Sequence, residues 1–228
     1  MSGRRRPGVR RPARRVAAPP GGDATPAGTR ERVVTAARAL LEEGGYGAAS
    51  VQAIAARAGV AAGALYRHFP SKADLFVDVV RDAARRDFAA MAEAASSGGC
   101  VARLEAAVAT FARRALRRRR LAWALVHEPV DPLVDAERLV HRREYCRHMA
   151  ALLRQGIAAG ELPEQDAELS AAAVVGAIAE ALVGPLSPIA GDVGSDEEVI
   201  AKLVRFCRRS VGASDRPRLR HVARRRPG

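Results

Sequence analysis

A chain of 228 residues that is 48% hydrophobic can bury a sizeable core, and its 4% aromatics, abundant Ala and lack of bounded Val/Ile/Thr runs point away from sheets and toward an all-α protein. The formal charge of +13 sits mostly at the ends: residues 1–28 carry seven Arg and one Asp, residues 213–228 six Arg and one Asp, leaving +2 for the middle. Cys100, Cys146 and Cys207 are odd in number and form no CxxC pair, which argues against a disulfide framework or a zinc site.

Residues 1–28 are rich in Arg, Pro and Gly and lack the apolar side chains that offset the entropy of ordering, so they read as a disordered basic arm. Arg4 to Arg15 is not followed by the apolar region of a secretory signal. No apolar run reaches the roughly 18 residues of a membrane span. A cytoplasmic protein without a membrane partner is the expectation.

Structure is expected to begin at Thr29, an N-cap, with Val33, Val34, Ala37, Leu40 and Leu41 recurring at helical spacing until Gly44 and Gly45. Ser50 caps a second helix whose inner face is Val51, Ile54, Ala55 and Ala58, and Gly59 supplies a tight turn. A third helix, about Ala61 to His68, turns Leu65 and Phe69 to the core. Pro70 ends it, and Ser71 with Asp74 forms an S-x-x-D capping box for a fourth helix over about Lys72 to Ala95.

Beyond Ser96-Ser97-Gly98-Gly99 the expected helices are Val101–Arg118, a short one near Arg120–His127, Val134–Ala159, Gln165–Val183 and Asp196–Val211. A loop with Pro185, Pro188, Gly191 and Gly194 separates the last two. Residues 213–228 read as a second disordered basic tail.

Two helices joined by a Gly turn, the second short and polar on its free face, match a helix-turn-helix. The run IAARAGVAAGALYRHFPSKADLF, Ile54–Phe76, closely resembles the DNA-binding domain of the tetracycline-repressor (TetR) family of bacterial transcription regulators. Its Ile-Ala, Ala-Gly-Val, Gly-x-Leu-Tyr, His-Phe and Ser-Lys-x-x-Leu elements occur in the family's order. The resemblance implies an all-α fold: an N-terminal three-helix domain, here 29–76, that binds a double-stranded DNA operator, and a larger helical domain, 77–212, that binds a small-molecule effector and forms a homodimer. The fourth helix continues from the first domain into the second.

The resemblance places Ser50, Tyr66, His68 and Lys72 at the DNA backbone. Chemistry agrees: a hydroxyl, a phenol, an imidazole and an ammonium are all donors to phosphate oxygens. Arg67 can reach a phosphate or a base edge, and Gln52 and the Gly63 backbone are further candidates for direct readout. The sequence departs from the family at Ala61, Ala62 and Ala64, where polar side chains are common. Alanine can touch a thymine methyl but forms no hydrogen bond, so readout rests on fewer contacts and more on DNA shape.

In the C-terminal half, Phe88, Phe111, Trp123, His127, His141, Tyr145, Met149 and Leu153 are candidates to line the effector pocket, His141, Tyr145 and Met149 standing four apart on one helix. His141, Tyr145 and His148 lack a companion Cys or carboxylate at metal-site spacing, so neither metal nor cofactor is expected. The Arg117–Arg120 run reads as a solvated helix end. The resemblance assigns the dimer interface to the last two helices, with Val174, Ile178, Leu182, Ile200, Leu203 and Val204 as candidates; core packing is the competing account.

The leading expectation is an effector-released repressor acting as a dimer on a palindromic operator. A weakly specific DNA-coating protein using the Arg-rich arms is the alternative. No GxSxG, HExxH, phosphate loop or dinucleotide fingerprint occurs to support an enzyme.

Overall fold

The computed structural model describes residues 26–128, 130–189 and 194–213; the two basic arms expected from the sequence lie almost wholly outside these. Among the described residues every regular element is helical: α1 Pro26–Ala48, α2 Val51–Ala58, α3 Ala62–His68, α4 Lys72–Ala94, α5 Cys100–Arg117, α6 Arg119–Val126, α7 Pro132–Ala158, α8 Ala167–Ala181, α9 Val183–Leu186 and α10 Asp196–Ser210.

Local chemistry explains the boundaries. Ser50 Oγ accepts the Ala53 N–H at 3.1 Å, and Gly59 closes α2 in the left-handed conformation at φ 65°. At the head of α4, Ser71 Oγ accepts from Asp74 N at 3.1 Å while Asp74 Oδ2 accepts from Ser71 N at 3.0 Å, completing the capping box. Asp131, Asp166 and Ser195 cap α7, α8 and α10 in the same way.

Three expectations need correction. Thr29 is not an N-cap: α1 starts at Pro26, whose fixed φ suits a first helical position, and Thr29 lies inside it. Gly45 breaks α1 as expected (φ 69°, ψ −167°), yet one more turn follows to Ala48. Part of the loop expected after α8 is α9, a single turn that accommodates Pro185 because early helical positions need no N–H partner.

Two apolar clusters organise the fold. The first joins Val33, Ala37 and Leu41 of α1, Ile54 of α2, Leu65 of α3 and Leu75, Phe76 and Val79 of α4, and Leu121, Ala124 and Val134 of α6 and α7 close it. The second joins Leu104, Val108 and Leu116 of α5 with Leu153 of α7, Ala171, Val174 and Ile178 of α8, and Ile200, Leu203 and Cys207 of α10. Cys100 and Cys207 are buried free thiols, and burial pushes the Cys207 thiol up to about 11.

This second cluster takes in most of the interface candidates. Val174, Ile178, Leu182, Ile200 and Leu203 are buried within the chain itself, as the competing account of core packing has it, while Val204 is half-buried. Both faces of α8 are apolar, so composition alone does not say which turns inward. The outward face carries Leu169, Ala172 and Ala173, with Gly176 half-exposed beside them, and α10 presents Phe206, 53% exposed. The stretch Ala167–Leu186 is also long and apolar enough to pass for a membrane span, contrary to the reading of the sequence; one face of it packs in the core described above.

Gly156 of α7 lies tightly against the start of α5: a Cβ there would meet Cys100 Cβ at 2.8 Å and Leu162 Cδ1 at 3.0 Å. Gly156→Ala is therefore expected to destabilise by about 1–3 kcal/mol through overpacking, against a helix-propensity gain of at most ~1 kcal/mol. A lower urea midpoint at unchanged slope is the expected result; a higher midpoint would contradict this packing.

Candidate functional site

The helix-turn-helix is built from the inside out. Leu65 and Phe69, 0% and 1% exposed, anchor α3, so the opposite side of this short helix is left outside. That side carries Ala61, Ala62, Gly63, Tyr66 and Arg67, all exposed, with Ala64 and His68 half-buried at its edges. Ser50 and Gln52, at the start of α2, are exposed as well. α2 and α3, which carry these candidates, are joined through the turn at Gly59.

Lys72 is placed differently. Its ammonium donates to the Tyr46 carbonyl at 3.2 Å and lies 3.7 Å from the Tyr46 ring centroid and 5.4 Å from that of Phe76. Loss of water holds its pKa below the usual lysine value, with Glu128 pulling the other way. Lys72 thus stands at the edge of the surface with one donor turned inward.

The effector candidates divide into groups. Phe88 of α4 stacks on Tyr145 of α7 at 4.3 Å between ring centroids; His148 lies 5.1 Å from Phe88, and Phe111 of α5 meets Tyr145 edge-on at 5.7 Å. Trp123 and His127 pair at 5.2 Å on α6. Met149 and Leu153 are buried in the second cluster. His141 instead engages α7 carboxylates, Nδ1 lying 2.9 Å from Glu144 and Nε2 3.1 Å from Glu137, which also holds Arg81.

Reading the sequence missed the polar group beside this shell. Arg114 of α5 donates to Asp87 of α4 at 2.6 Å, next to Phe88. Burial pushes the Asp87 carboxyl up despite the guanidinium, and burial with the Asp87 charge pushes the Tyr145 phenol up. The pair comes from separate helices 27 positions apart, so no spacing rule reveals it.

The arginine run is also corrected. Arg118 lies 3.6 Å from Glu42, Arg119 pairs with Asp196, and Arg120 donates to the Glu43 carbonyl at 3.0 Å. With Glu128 accepting the Tyr46 N–H at 3.3 Å, the Arg118 and Arg120 contacts fasten α6 and its flanks to the end of α1, while Arg119 ties α6 to the head of α10. Arg118, Arg119 and Arg120 are struts between helices, while Arg117 lies exposed at the end of α5. No group of three or more His, Cys, Asp or Glu that could hold a metal occurs among the described residues.

His127 supplies a pH test. Burial lowers its pKa below the usual 6.5, only partly offset by Glu180. The folded state therefore binds fewer protons than the unfolded chain, and stability present above pH ~6.5 is lost as pH falls through the lower folded value. His127→Phe, which keeps a ring against Trp123, is expected to flatten the decline of Tm between pH 7 and 5; an unchanged decline would contradict this.

Comparisons with known proteins agree with this geometry. Residues 33–79 match the family model described as bacterial regulatory proteins, tetR family, and residues 97–182 match the tetracyclin repressor-like C-terminal domain. The transcriptional repressor KstR of Mycolicibacterium smegmatis is 43% identical over 70 residues, 31% of this chain but only 34% of that protein, and KstR of Mycobacterium tuberculosis is 47% identical over 51 residues, 23% of its length. The chain thus matches about a third or less of these relatives. A TetR/AcrR regulator from Thermobifida fusca superposes with a TM-score of 0.62 at 26% identity, covering 78% of this chain and 95% of that one. FadR of Bacillus subtilis, solved in complex with stearoyl-CoA, shares the fold with a TM-score of 0.67 at 21% identity over 80% and 97% of the two chains. The helix-turn-helix and the helical domain behind it together place the chain in the TetR family of transcriptional regulators.

Proposed function

We propose that the protein is an effector-responsive repressor that binds a palindromic operator as a homodimer and is released by a small molecule. The observation that carries this reading is the exposed face of α3, where Tyr66 and Arg67 stand outside while Leu65 and Phe69 hold the helix from within. Residues 29–76 read DNA in this scheme and residues 77–212 bind the effector and the second subunit. Ser50, Tyr66, His68 and Lys72 contact phosphates; Gln52 and Arg67 reach bases; Ala61, Ala62, Gly63 and Ala64 line the groove without polar side chains.

The effector binds among Phe88, Phe111 and Tyr145, with the Asp87–Arg114 pair meeting its polar end. An apolar body with a polar head suits such a shell, and FadR's stearoyl-CoA is a compound of that kind. Displacing these rings shifts α4 and α5, and α6 follows α5 directly through Arg118. α4 carries the shift directly, since it runs without a break from Lys72 at the recognition unit to Phe88 in the shell, roughly 24 Å along its axis. α6 transmits it through Arg118, Arg120 and Glu128 to the end of α1. Moving two recognition helices relative to half-sites about 34 Å apart removes operator affinity.

The outward faces of α8 and α10 form the dimer surface, because small Ala173 and Gly176 allow close helix approach beside the exposed Phe206. Relatives described as repressors support the sign of regulation, and a role on DNA fits a place in the cytoplasm.

A footprint should show one protected palindrome that is lost on adding a hydrophobic metabolite extract; uniform coating that vanishes with salt would favour the DNA-coating alternative. Tyr66→Phe is expected to weaken operator binding by about 0.5–1.5 kcal/mol, the net value of one neutral hydrogen bond, without changing the salt slope. Ala173→Arg, on the outward face, is expected to give monomers by light scattering with an unaltered circular dichroism spectrum; a persisting dimer would relocate the interface.

A further inference from the structure

α1 meets the recognition unit with more than its apolar face. Arg32 reaches across to the end of α2, where its Nε and Nη2 donate to the Ala58 carbonyl at 3.2 and 2.6 Å and Nη2 also to the Gly59 carbonyl at 3.1 Å. Ala58 is the last residue of α2, and Gly59 is the turn itself. Arg30, two positions earlier, donates to the His68 carbonyl at 3.4 Å, lies 4.7 Å from the Phe69 ring centroid and pairs with Asp78 of α4. His68 is the last residue of α3, and Phe69 follows it as the C-cap.

Two side chains of one helix therefore grip the carbonyl ends of both helices of the motif. Carbonyls at a helix C-terminus lack partners within the helix and carry the negative end of its dipole, so a guanidinium fork satisfies them in number and in charge. Apolar burial is non-directional and sets how deep α3 sits, whereas hydrogen bonds at the turn and at the exit resist its rotation and sliding. The pose matters more in this chain than in one with polar residues at positions 61, 62 and 64, because few side chains remain to read bases.

We propose that Arg32, assisted by Arg30, is a positioning residue for sequence recognition: it fixes the pose of α3 by capping α2 and the Gly59 turn, and so governs discrimination between DNA sequences rather than attraction to DNA. The inference rests on the reading that this domain binds an operator. The competing role for an Arg near such a surface is a direct phosphate contact, and the two roles leave different marks. Losing a phosphate contact weakens binding to all duplexes alike and reduces the salt slope by about one. Losing a positioning residue keeps the slope and lowers the ratio of operator to non-specific affinity.

The test uses the full chain and a duplex that the wild type selects from a random pool, with a scrambled duplex as the non-specific probe. Kd is measured for both over a salt series. Arg32→Met, which keeps the stem and removes the donors, is expected to lower the operator ratio on the order of tenfold, the loss of one well-placed base contact, at an unchanged slope. Arg32→Lys, which restores one donor, is expected to recover part of the ratio. Hydrogen exchange of the Ala62–His68 amides should quicken in Arg32→Met while the α5 amides are unaffected. Gly156→Ala, destabilised far from this surface, should keep the full ratio.

A slope reduced by about one with an unchanged ratio would assign Arg32 to phosphate. An unaltered ratio and slope, or an equal loss in Gly156→Ala, would overturn the positioning role. If the wild type enriched no sequence at all, the operator reading itself would fall, and this role with it.

Discussion

The constraint on which the rest depends is that α4 belongs to two assemblies at once. Its first turns bury Leu75, Phe76 and Val79 beneath the recognition unit, and two turns beyond Val80 the same helix stacks Phe88 on Tyr145 of α7. No flexible linker lies between these contacts. A change felt by Phe88 is therefore felt at the Ser71 cap, because an uninterrupted helix bends far less readily than a loop. The closing of the first cluster by Leu121, Ala124 and Val134 has the same effect from a second direction. The two halves of the protein keep separate cores and are joined through packed helices rather than through a linker.

The N-terminal half was legible in the sequence because its determinants are local. Ser50, Gly59 and the Ser71/Asp74 box act within three or four residues, and each does in the structure what its residue type predicts. Leu65 and Phe69 face inward for the same reason, a four-residue spacing on a short helix. The longer helices behind them were legible too, from periodicity and Pro and Gly breaks, whereas the single turn α9 with Pro185 inside it was not.

What was not legible depended on partners distant in the chain. Asp87 and Arg114, Arg118 and Glu42, and Arg32 and Ala58 meet only after helices pack, so a run of arginines looked like a solvated end when Arg118, Arg119 and Arg120 in it are struts. The two faces of α8 were indistinguishable because Ala, Val and Gly occupy both, and only the packing of α7 and α10 reveals which side is claimed. Lys72 shows the limit in another way. Its place at the head of α4 was legible, but not the pull of the Tyr46 ring and carbonyl that turns its ammonium inward.

The alanines at the head of α3 have a consequence for how such a protein diversifies. Ala61 and Ala62 are exposed and Ala64 is half-exposed; Ala61 stands at the N-cap without a capping side chain. Replacing them with Ser, Thr or Asn would remove nothing from the core, and a capping residue at position 61 would add about 1 kcal/mol of helix stability. At positions 62 and 64 the same replacements cost at most about 0.7 kcal/mol each in helix propensity, so the hydrogen-bonding character of this face can change by single steps while the core is left intact. In engineering terms, the recognition helix is a mounting plate with empty sockets.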